Sequence, residues 1–242
     1  MKRLSLVIIA LVFPFLAAAE DPAIFLSSAY LFTPEPVFVV KIGMNIQEPG
    51  GQKTREVELS VEKQGDRSFS LSRVTRPAFL SDMKFLKRSE NEKVDSIWVK
   101  TSRGVRRIGD GNRNESVFGS HFTVEDFGSI DGKGFDLSFN KSLDTNSERA
   151  IVAKPLSPAT YALRVIWVEN DNGLVTRMEY RDASGKILRR YLVTKTTGSG
   201  KAMRPLEARM EDLVNGGSTT ISLLSFSTPA SLPEHLFSPG TL

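Results

Sequence analysis

The residues best suited to catalysis gather in one stretch of the chain. Ser120 and His121 are followed closely by Glu125 and Asp126, which are the side-chain types of a serine hydrolase. One hypothesis is therefore a lipid-ester hydrolase, a phospholipase or esterase, with Ser120 as nucleophile and His121 as base. Neighbours in sequence rarely have the geometry that proton transfer requires, and no Gly-x-Ser-x-Gly motif surrounds any serine. The residues therefore leave enzymatic activity undecided.

A second interpretation gives the same stretch a structural role. Adjacent residues of a strand point to opposite faces, so Glu125 and Asp126 fit better on a short helix than as paired catalytic acids. Arg106 and Arg107 lie just upstream and are suitable ion-pair partners. Together with Ser120, these four residues would form a polar network that positions a lid.

The composition gives little support to metal or cofactor chemistry. The chain has no Cys and only 2 His, so a zinc site would have to depend on carboxylates. Residues 197–201 contain a Gly-Ser-Gly-Lys run, but they lack the first glycine and the final hydroxyl residue of a phosphate-binding loop. The sequence predicts no metal and no cofactor.

The N-terminal residues have the pattern of a cleavable signal peptide. Lys2 and Arg3 precede an apolar run over residues 4–16, and small alanines follow at residues 17–19. Cleavage after residue 19 predicts a mature chain of residues 20–242. Because the chain has no Cys, it cannot carry the lipid-modified cysteine of a lipoprotein. We expect an exported, periplasmic, soluble protein that is not lipidated.

The net charge argues against a nucleic-acid partner. The formal charge is +4, and removing Lys2 and Arg3 with the signal peptide leaves about +2. So small an excess creates no large field that would attract a polyanion. We expect no nucleic acid among the partners.

Strand patterns dominate the chain after a short N-terminal helix. The helix is predicted over residues 22–32, with Asp21 as N-cap and Pro22 at its first position. Alternating apolar residues separated by glycine turns then predict about ten strands. Short connections favour one large antiparallel sheet, which at this size must curl, close or split. The predicted strands cover residues 36–46, 57–61, 69–71, 83–86, 96–99, 135–139, 161–168, 174–180, 187–193, 203–210 and 219–226.

The strand pattern stops over residues 104–134, a long interval for a connection in a compact domain. The interval is rich in Val and Phe, which argues against disorder and favours a lid or short helix packed over the sheet. A curled sheet under a lid can hold an apolar ligand. The candidates for contact with such a ligand are Trp98, Phe118, Phe122 and Phe127.

Three segments of the chain resemble a known family when read in order. They are SIWVK at residues 96–100, RRI at residues 106–108 and FGSHFTVED at residues 118–126. The order and spacing resemble the LolA-like family of periplasmic outer-membrane lipoprotein-sorting proteins, whose signature is Gly-Ser-Asp-Phe-x-x-Glu-Asp. The resemblance extends from about residue 39 to residues 236–239, so residues 20–242 are interpreted as a single LolA-like β domain.

The resemblance implies a fold and a function. The fold would be an incomplete antiparallel β-barrel of the LolA/LolB type, in which a short helical or loop lid covers an apolar cavity. The function would be a carrier that moves lipid or lipoprotein acyl chains between the inner and outer membranes. An RND-type or other inner-membrane transporter and an outer-membrane acceptor would be its partners. The remaining alternative is a non-catalytic envelope sensor or binding module.

One residue departs from the family signature. His121 stands where the signature has Asp, which would alter a salt bridge or introduce a group that responds to pH. The identity of the cargo does not follow from the resemblance.

Overall fold

The structure is a computed structural model that describes residues 20–90, 96–109, 112–127, 132, 134–157 and 159–242. The predicted signal peptide, residues 1–19, lies outside the described residues. Within the described part of the chain, no helix has both the length and the apolar character needed to cross a membrane.

The described residues form one antiparallel sheet of thirteen strands, in the order β6-β5-β4-β3-β2-β1-β13-β12-β11-β10-β9-β8-β7. The sheet is not closed, because β6 and β7 are edge strands. The predicted mainly β fold with one large antiparallel sheet is confirmed. The strands are β1 (Val37–Glu48), β2 (Gly51–Gln64), β3 (Arg67–Arg76), β4 (Lys84–Ser89), β5 (Ser96–Thr101), β6 (Gly104–Ile108), β7 (Phe135–Phe139), β8 (Glu148–Pro155), β9 (Leu163–Glu169), β10 (Val175–Arg181), β11 (Ile187–Thr197), β12 (Arg204–Asp212) and β13 (Ser218–Ser227).

The strand order divides the sheet into two arms that meet at the pairing of β1 with β13. The first arm runs outward as a meander from β1 to β6, and the second returns from β7 to β13. The connection between β6 and β7 therefore joins the two opposite edges. Residues 112–127 belong to this connection and are called the inner segment, because they pack against the concave face.

Helical structure is short, and the first helix sets the position of the chain before β1. Helix α1 covers Pro22–Ser27, and the Asp21 side chain accepts a hydrogen bond from the Ala23 amide at 2.8 Å. The helix is shorter than the predicted 22–32, because Tyr30 instead forms a parallel β-bridge with Leu174. Short 3₁₀ segments lie at Ala78–Leu80, Val124–Phe127, Lys141–Leu143, Gly200–Ala202, Glu234–Phe237 and Pro239–Thr241.

Two strands were missed by the sequence pattern, β6 and β8. Four of the five residues of β6 are exposed at the edge of the sheet, so the strand lacks an alternating apolar face. β8 begins with the charged pair Glu148 and Arg149, which hides its buried centre at Ala150 and Ile151. The predicted interruption of the strand pattern therefore begins after Ile108 and not at residue 104.

The main core lies on the concave face and includes Met44, Val57 and Tyr191 from both arms. A smaller cluster lies on the convex face of β3 and β4, where the C-terminal segment packs its Phe237 against Leu71 and Leu86. The apolar side of β3 therefore faces outward, toward the C-terminal segment.

Candidate functional site: a cavity on the concave face

A cavity of about 300 Å³ lies between the concave face of the sheet and the chain around α1. Its apolar wall on the first arm is formed by Val40, Ile42, Leu59 and Val61 of β1 and β2. The volume lies at the lower end of the range for small-molecule pockets. A space of this size and lining suits one narrow apolar group better than a bulky polar one.

The cover of the cavity is the segment of residues 28–36 that follows α1. Its Tyr30 amide donates to the Gly173 carbonyl at 3.0 Å, and its side-chain hydroxyl donates to the Met203 carbonyl at 3.0 Å. Phe32 stacks on Phe38, with ring centroids 6.0 Å apart. Backbone bonds at one end and an aromatic contact further along therefore hold the cover over the cavity.

The inner segment forms the floor of the cavity through a small hairpin. The Val117 amide donates to the Phe122 carbonyl at 2.9 Å, and the Ser120 amide donates to the Val117 carbonyl at 3.0 Å. Phe118 has a φ of 56° and Gly119 a φ of 69°. A left-handed conformation is uncommon for a bulky residue and is retained where the surroundings impose it. Burial of the Phe118 side chain against the core provides that constraint.

A buried polar network fixes the end of the inner segment to the second arm. Asp126 accepts hydrogen bonds from the Tyr180 hydroxyl and from the Arg189 guanidinium, both at 2.5 Å. The neighbouring Glu125 accepts from the Tyr161 hydroxyl and pairs with Arg164, whose Nη2 lies 3.4 Å from Glu125 Oε1. Buried charges need such partners, because their desolvation is otherwise uncompensated. The network therefore anchors Glu125 and Asp126 to β9, β10 and β11.

The tyrosines of the network are held in their protonated form. Burial raises the pKa of Tyr161, and burial together with the nearby Asp126 carboxylate raises the pKa of Tyr180. Both hydroxyls consequently remain hydrogen-bond donors to the carboxylates across the neutral pH range. Both carboxylates of the network thus accept from neutral hydroxyls and from guanidinium groups, whereas the buried Arg164 Nε has no hydrogen-bond partner among the described residues.

Comparison with known proteins places the chain in a family. A family model described as an uncharacterized protein matches residues 66–242. The chain belongs to this family. No protein of curated function matches the chain in sequence.

Three solved structures with similar folds identify the fold of this chain. A domain from Vibrio parahaemolyticus, described as an outer membrane lipoprotein-sorting protein domain, has 19% identity and a TM-score of 0.75, with 85% of this chain and 90% of that chain covered. A DUF1329 family protein from Desulfovibrio piger has 21% identity and a TM-score of 0.75, with coverage of 86% and 92%. A LolA superfamily protein from Nitrosomonas europaea has 16% identity and a TM-score of 0.71, with coverage of 93% and 100%. The fold is LolA-like, as the sequence resemblance implied.

The four aromatic residues selected from the sequence do not share one location. Phe118 and Phe122 line the cavity. Trp98 belongs instead to the cluster on the convex face, where the Arg107 guanidinium lies 5.8 Å from its ring centroid. The side chain of Phe127 lies outside the described part of the structure. Alternation explains the position of Trp98, because Ile97 and Val99 next to it face the concave side.

The arginines expected in the lid network have other partners. Arg106 pairs with Glu115, and Arg107 donates to the Ser96 hydroxyl at 3.0 Å. Glu125 and Asp126 are instead paired with Arg164 and Arg189, which sequence reasoning missed. One signal was available for Arg164, since it is the only charged residue within the apolar run of residues 161–168.

Ser120 and His121 have separate hydrogen-bond partners. The Ser120 hydroxyl donates to the Val117 carbonyl at 2.6 Å and accepts from the Phe122 amide at 3.2 Å, so it completes the hairpin of the inner segment. The His121 ring contacts the Thr219 hydroxyl at 2.9 Å. No hydrogen bond among the described residues joins Ser120 to His121. The His, Asp and Glu side chains that the structure describes also form no group of three that could hold a metal ion.

Proposed function

We propose that this protein is a non-enzymatic carrier that shelters a lipid acyl chain in the cavity beneath its cover segment. The observation that carries the proposal is the cavity itself, about 300 Å³ in volume and walled mostly by aliphatic and aromatic side chains. Its floor at Phe118 and its cover at Phe32 offer apolar surface to a ligand from both sides.

The physical driving force is the removal of hydrocarbon from water. Each methylene buried contributes about 0.8 kcal/mol, so a chain with several methylenes in the cavity binds without any polar contact. The buried network at Glu125 and Asp126 supports this role, because it keeps the inner segment attached to the second arm and outside the cavity space. Transfer of an intact lipid requires binding and release, but no bond breaking.

The proposed setting is the periplasm, with transfer between the inner and outer membranes. An RND-type or other inner-membrane transporter would supply the acyl chain, and an outer-membrane acceptor would receive it. Two features support this setting, the signal-peptide pattern at residues 1–19 and the likeness in fold to a lipoprotein-sorting domain and a LolA superfamily protein.

The proposal is tested with a cavity-filling variant and a matched surface variant. Leu59→Trp directs an indole into the cavity, whereas Leu192→Trp makes the same change at an exposed position of β11. We expect Leu59→Trp to weaken binding of a fluorescent fatty acid by tenfold or more, roughly the loss of two buried methylenes. Leu192→Trp should bind as the natural protein does.

Native mass spectrometry of the protein purified from its own host provides the second measurement. We expect co-purified lipid or lipopeptide that is lost in Leu59→Trp. Bare protein in the spectrum, together with no binding of fluorescent fatty acid by the natural chain, would contradict the proposal.

A further inference from the structure

Three adjacent strands of the second arm, β10, β11 and β12, each contribute one side chain to the wall of the cavity. These side chains are Met178, Tyr191 and Met210. Tyr191 is directly paired with Met178 on one side and with Met210 on the other. Directly paired residues of antiparallel strands have their Cβ atoms about 4.5–5.5 Å apart. The three side chains therefore form one continuous row across the concave face.

The Tyr191 hydroxyl is the only hydrogen-bond donor in this row, because a methionine thioether is a weak acceptor. The chain has 4 tyrosines, and the other three hydroxyls all donate to a carbonyl or carboxylate oxygen of the protein, those of Tyr30, Tyr161 and Tyr180. No such bond joins the Tyr191 hydroxyl to any residue that the structure describes. Tyr191 therefore differs from the tyrosines that serve the fold.

The Tyr191 hydroxyl is open to the cavity. The residue is only 4% exposed, and its ring meets that of Phe122 edge to face, with centroids 6.4 Å apart. Among the described residues, the fully enclosed side-chain polar atoms without a hydrogen bond are the Nε atoms of Arg55, Arg164 and Arg190. The Tyr191 hydroxyl also lacks a bond but is not one of them, so some of its surface is accessible. Since the side chain lines the cavity, the cavity is the space that the hydroxyl meets.

Packing alone does not account for a tyrosine at this position. A phenylalanine would fill the same part of the wall and would bury no donor. A hydroxyl that leaves water without gaining a partner destabilises the folded state, and a hydrogen-bond acceptor placed in the cavity removes that penalty. The hydroxyl of Tyr191 is thus suited to a ligand that carries such an acceptor.

The surroundings favour a neutral acceptor over an anion. Burial raises the pKa of Tyr191, so the hydroxyl keeps its proton at neutral pH and acts as a donor. Among the described lining residues, β10, β11 and β12 contribute no cationic side chain. Asp126 also lines the cavity, and Arg189 is already paired with it. A carboxylate brought to Tyr191 would therefore be buried without a compensating charge, whereas a carbonyl or hydroxyl oxygen would not.

Resting on the proposed carrier function, we propose that the Tyr191 hydroxyl donates a hydrogen bond to a neutral oxygen of the carried acyl compound. Two sources supply such an oxygen. One is the carbonyl of an acyl ester that enters head first, and the other is a hydroxyl on an acyl chain that enters tail first. Met178 and Met210 suit both, because flexible thioethers adapt to the shape of neighbouring hydrocarbon. The cavity then selects oxygen-bearing acyl compounds over plain acyl chains.

The test measures how much affinity each ligand loses when the hydroxyl is removed. Tyr191→Phe deletes the hydroxyl and keeps the ring. The ligands are dodecanoate, methyl dodecanoate and 3-hydroxy-, 8-hydroxy- and 12-hydroxydodecanoate, which displace a fluorescent fatty acid below their micelle concentrations. We expect the ester or at least one hydroxydodecanoate to lose about fivefold in affinity, the factor of one net hydrogen bond, and dodecanoate to lose less than about twofold. The ligand with the largest loss identifies the source of the oxygen.

Tyr30→Phe is the matched control. Tyr30 also lines the cavity, but its hydroxyl donates to the Met203 carbonyl. Loss of that bond loosens the cover and should change the affinity for every ligand by the same factor. Circular dichroism verifies the fold of both variants, and Tyr191→Phe should fold as the natural protein does, because its hydroxyl has no partner among the described residues.

Infrared spectroscopy provides a second measurement when methyl dodecanoate shows the loss. A hydrogen bond lowers the stretching frequency of an ester carbonyl. We expect a lower frequency for methyl dodecanoate bound to the natural protein than for the same ligand bound to Tyr191→Phe. Equal frequencies would show that the loss of affinity does not come from a bond to the carbonyl.

The outcomes separate the two proposals. Losses below about twofold for every ligand would mean that the hydroxyl binds water and not the ligand. Equal losses for dodecanoate and the oxygen-bearing ligands would mean that it does not recognise a neutral oxygen. Either result overturns the role of Tyr191 and leaves the carrier function intact. Failure of the natural protein to bind the fluorescent fatty acid and all five ligands would instead remove the carrier function on which that role rests.

Discussion

The two arms of the sheet use their concave faces in opposite ways. On the second arm, the face is filled by the inner segment and by the network around Arg164, which is only 4% exposed. On the first arm, β1 and β2 face an open cavity, and β3 directs serines toward it. The concave face of the second arm is therefore mostly filled, with Met178, Tyr191 and Met210 reaching the cavity, whereas β1 and β2 of the first arm form its main wall.

The topology explains how this difference arises. The connection from β6 to β7 has to span the sheet, because these strands are opposite edges, and its residues 112–127 pack on the concave face. Asp126 and Glu125 hold it on the second arm through Arg189 and Arg164. The first arm is then covered mainly by the segment after α1, and the uncovered volume becomes the cavity.

The largest expected effect comes from breaking the filled half at Asp126. Asp126→Ala leaves Arg189 and the buried Tyr180 hydroxyl without their common acceptor. Removing one partner of a buried pair costs about 3–5 kcal/mol, so the free energy of unfolding in urea should fall by that amount. Glu115→Ala, which breaks an exposed pair with Arg106, is the control and should cost about 0–1 kcal/mol. Similar losses in both variants would mean that the network does not anchor the inner segment.

A smaller difference in the free energy of unfolding is expected when a larger side chain is introduced into each half. Ala153 of β8 is 1% exposed within the main core, and Ala153→Leu forces extra volume into a filled region at a cost of about 1–3 kcal/mol. Leu59→Trp also adds volume, but directs it into the cavity, and should cost less than about 1 kcal/mol. Urea unfolding of both variants measures the difference. Equal destabilisation would show that the first arm has no usable space.

Local patterns predict the fold better than they predict which face a strand presents. Alternation and glycine turns indicated most of the strands, because these signals lie within a few residues. The orientation of β3 was harder to predict from the sequence, because Phe69 and Leu71 pack under Phe237, a residue far along the chain. When both faces of a strand are covered, its sequence does not indicate which face lines the cavity.

The site was predictable only where its contacts are local. The Phe118 to Asp126 stretch marked the inner segment, because its hairpin and its short helix are made by neighbours. The partners of Glu125 and Asp126 lie 39 and 63 residues away, whereas Arg106 and Arg107 were selected for their proximity in sequence. Long-range pairing depends on the topology of the sheet, which no local motif encodes.

A still smaller effect on the free energy of unfolding is expected at alkaline pH. It allows a comparison of Tyr180, in the buried network, with Tyr191, which lines the cavity. Burial raises the pKa of Tyr180 and of Tyr191 above the usual value near 10. Stability from such a group is complete below pH 10 and falls as pH rises further, because the unfolded chain loses its proton first. The slope is about 1.4 kcal/mol per pH unit for each tyrosine.

Tyr191 gives the cleaner variant, because burial alone raises its pKa. Tyr191→Phe should leave the free energy of unfolding at pH 7 nearly unchanged and should make its decline between pH 10 and 11 less steep. Urea unfolding at each pH provides the measurement. An unchanged slope would mean that water enters the cavity and that Tyr191 titrates normally there.

The smallest expected effect concerns His121, which lies where the inner segment meets β13. Burial lowers the pKa of His121, and the carboxylates of Asp212 and Glu48 oppose this shift without overcoming it. A histidine with a lowered pKa stabilises the folded state fully above the unfolded pKa near 6.5, and this contribution is lost as pH falls through the folded value. His121→Gln should therefore reduce the small drop in melting temperature between pH 7 and pH 5. His235→Gln is the matched control, and an equal reduction in both variants would show that the drop does not originate at the boundary of the two halves.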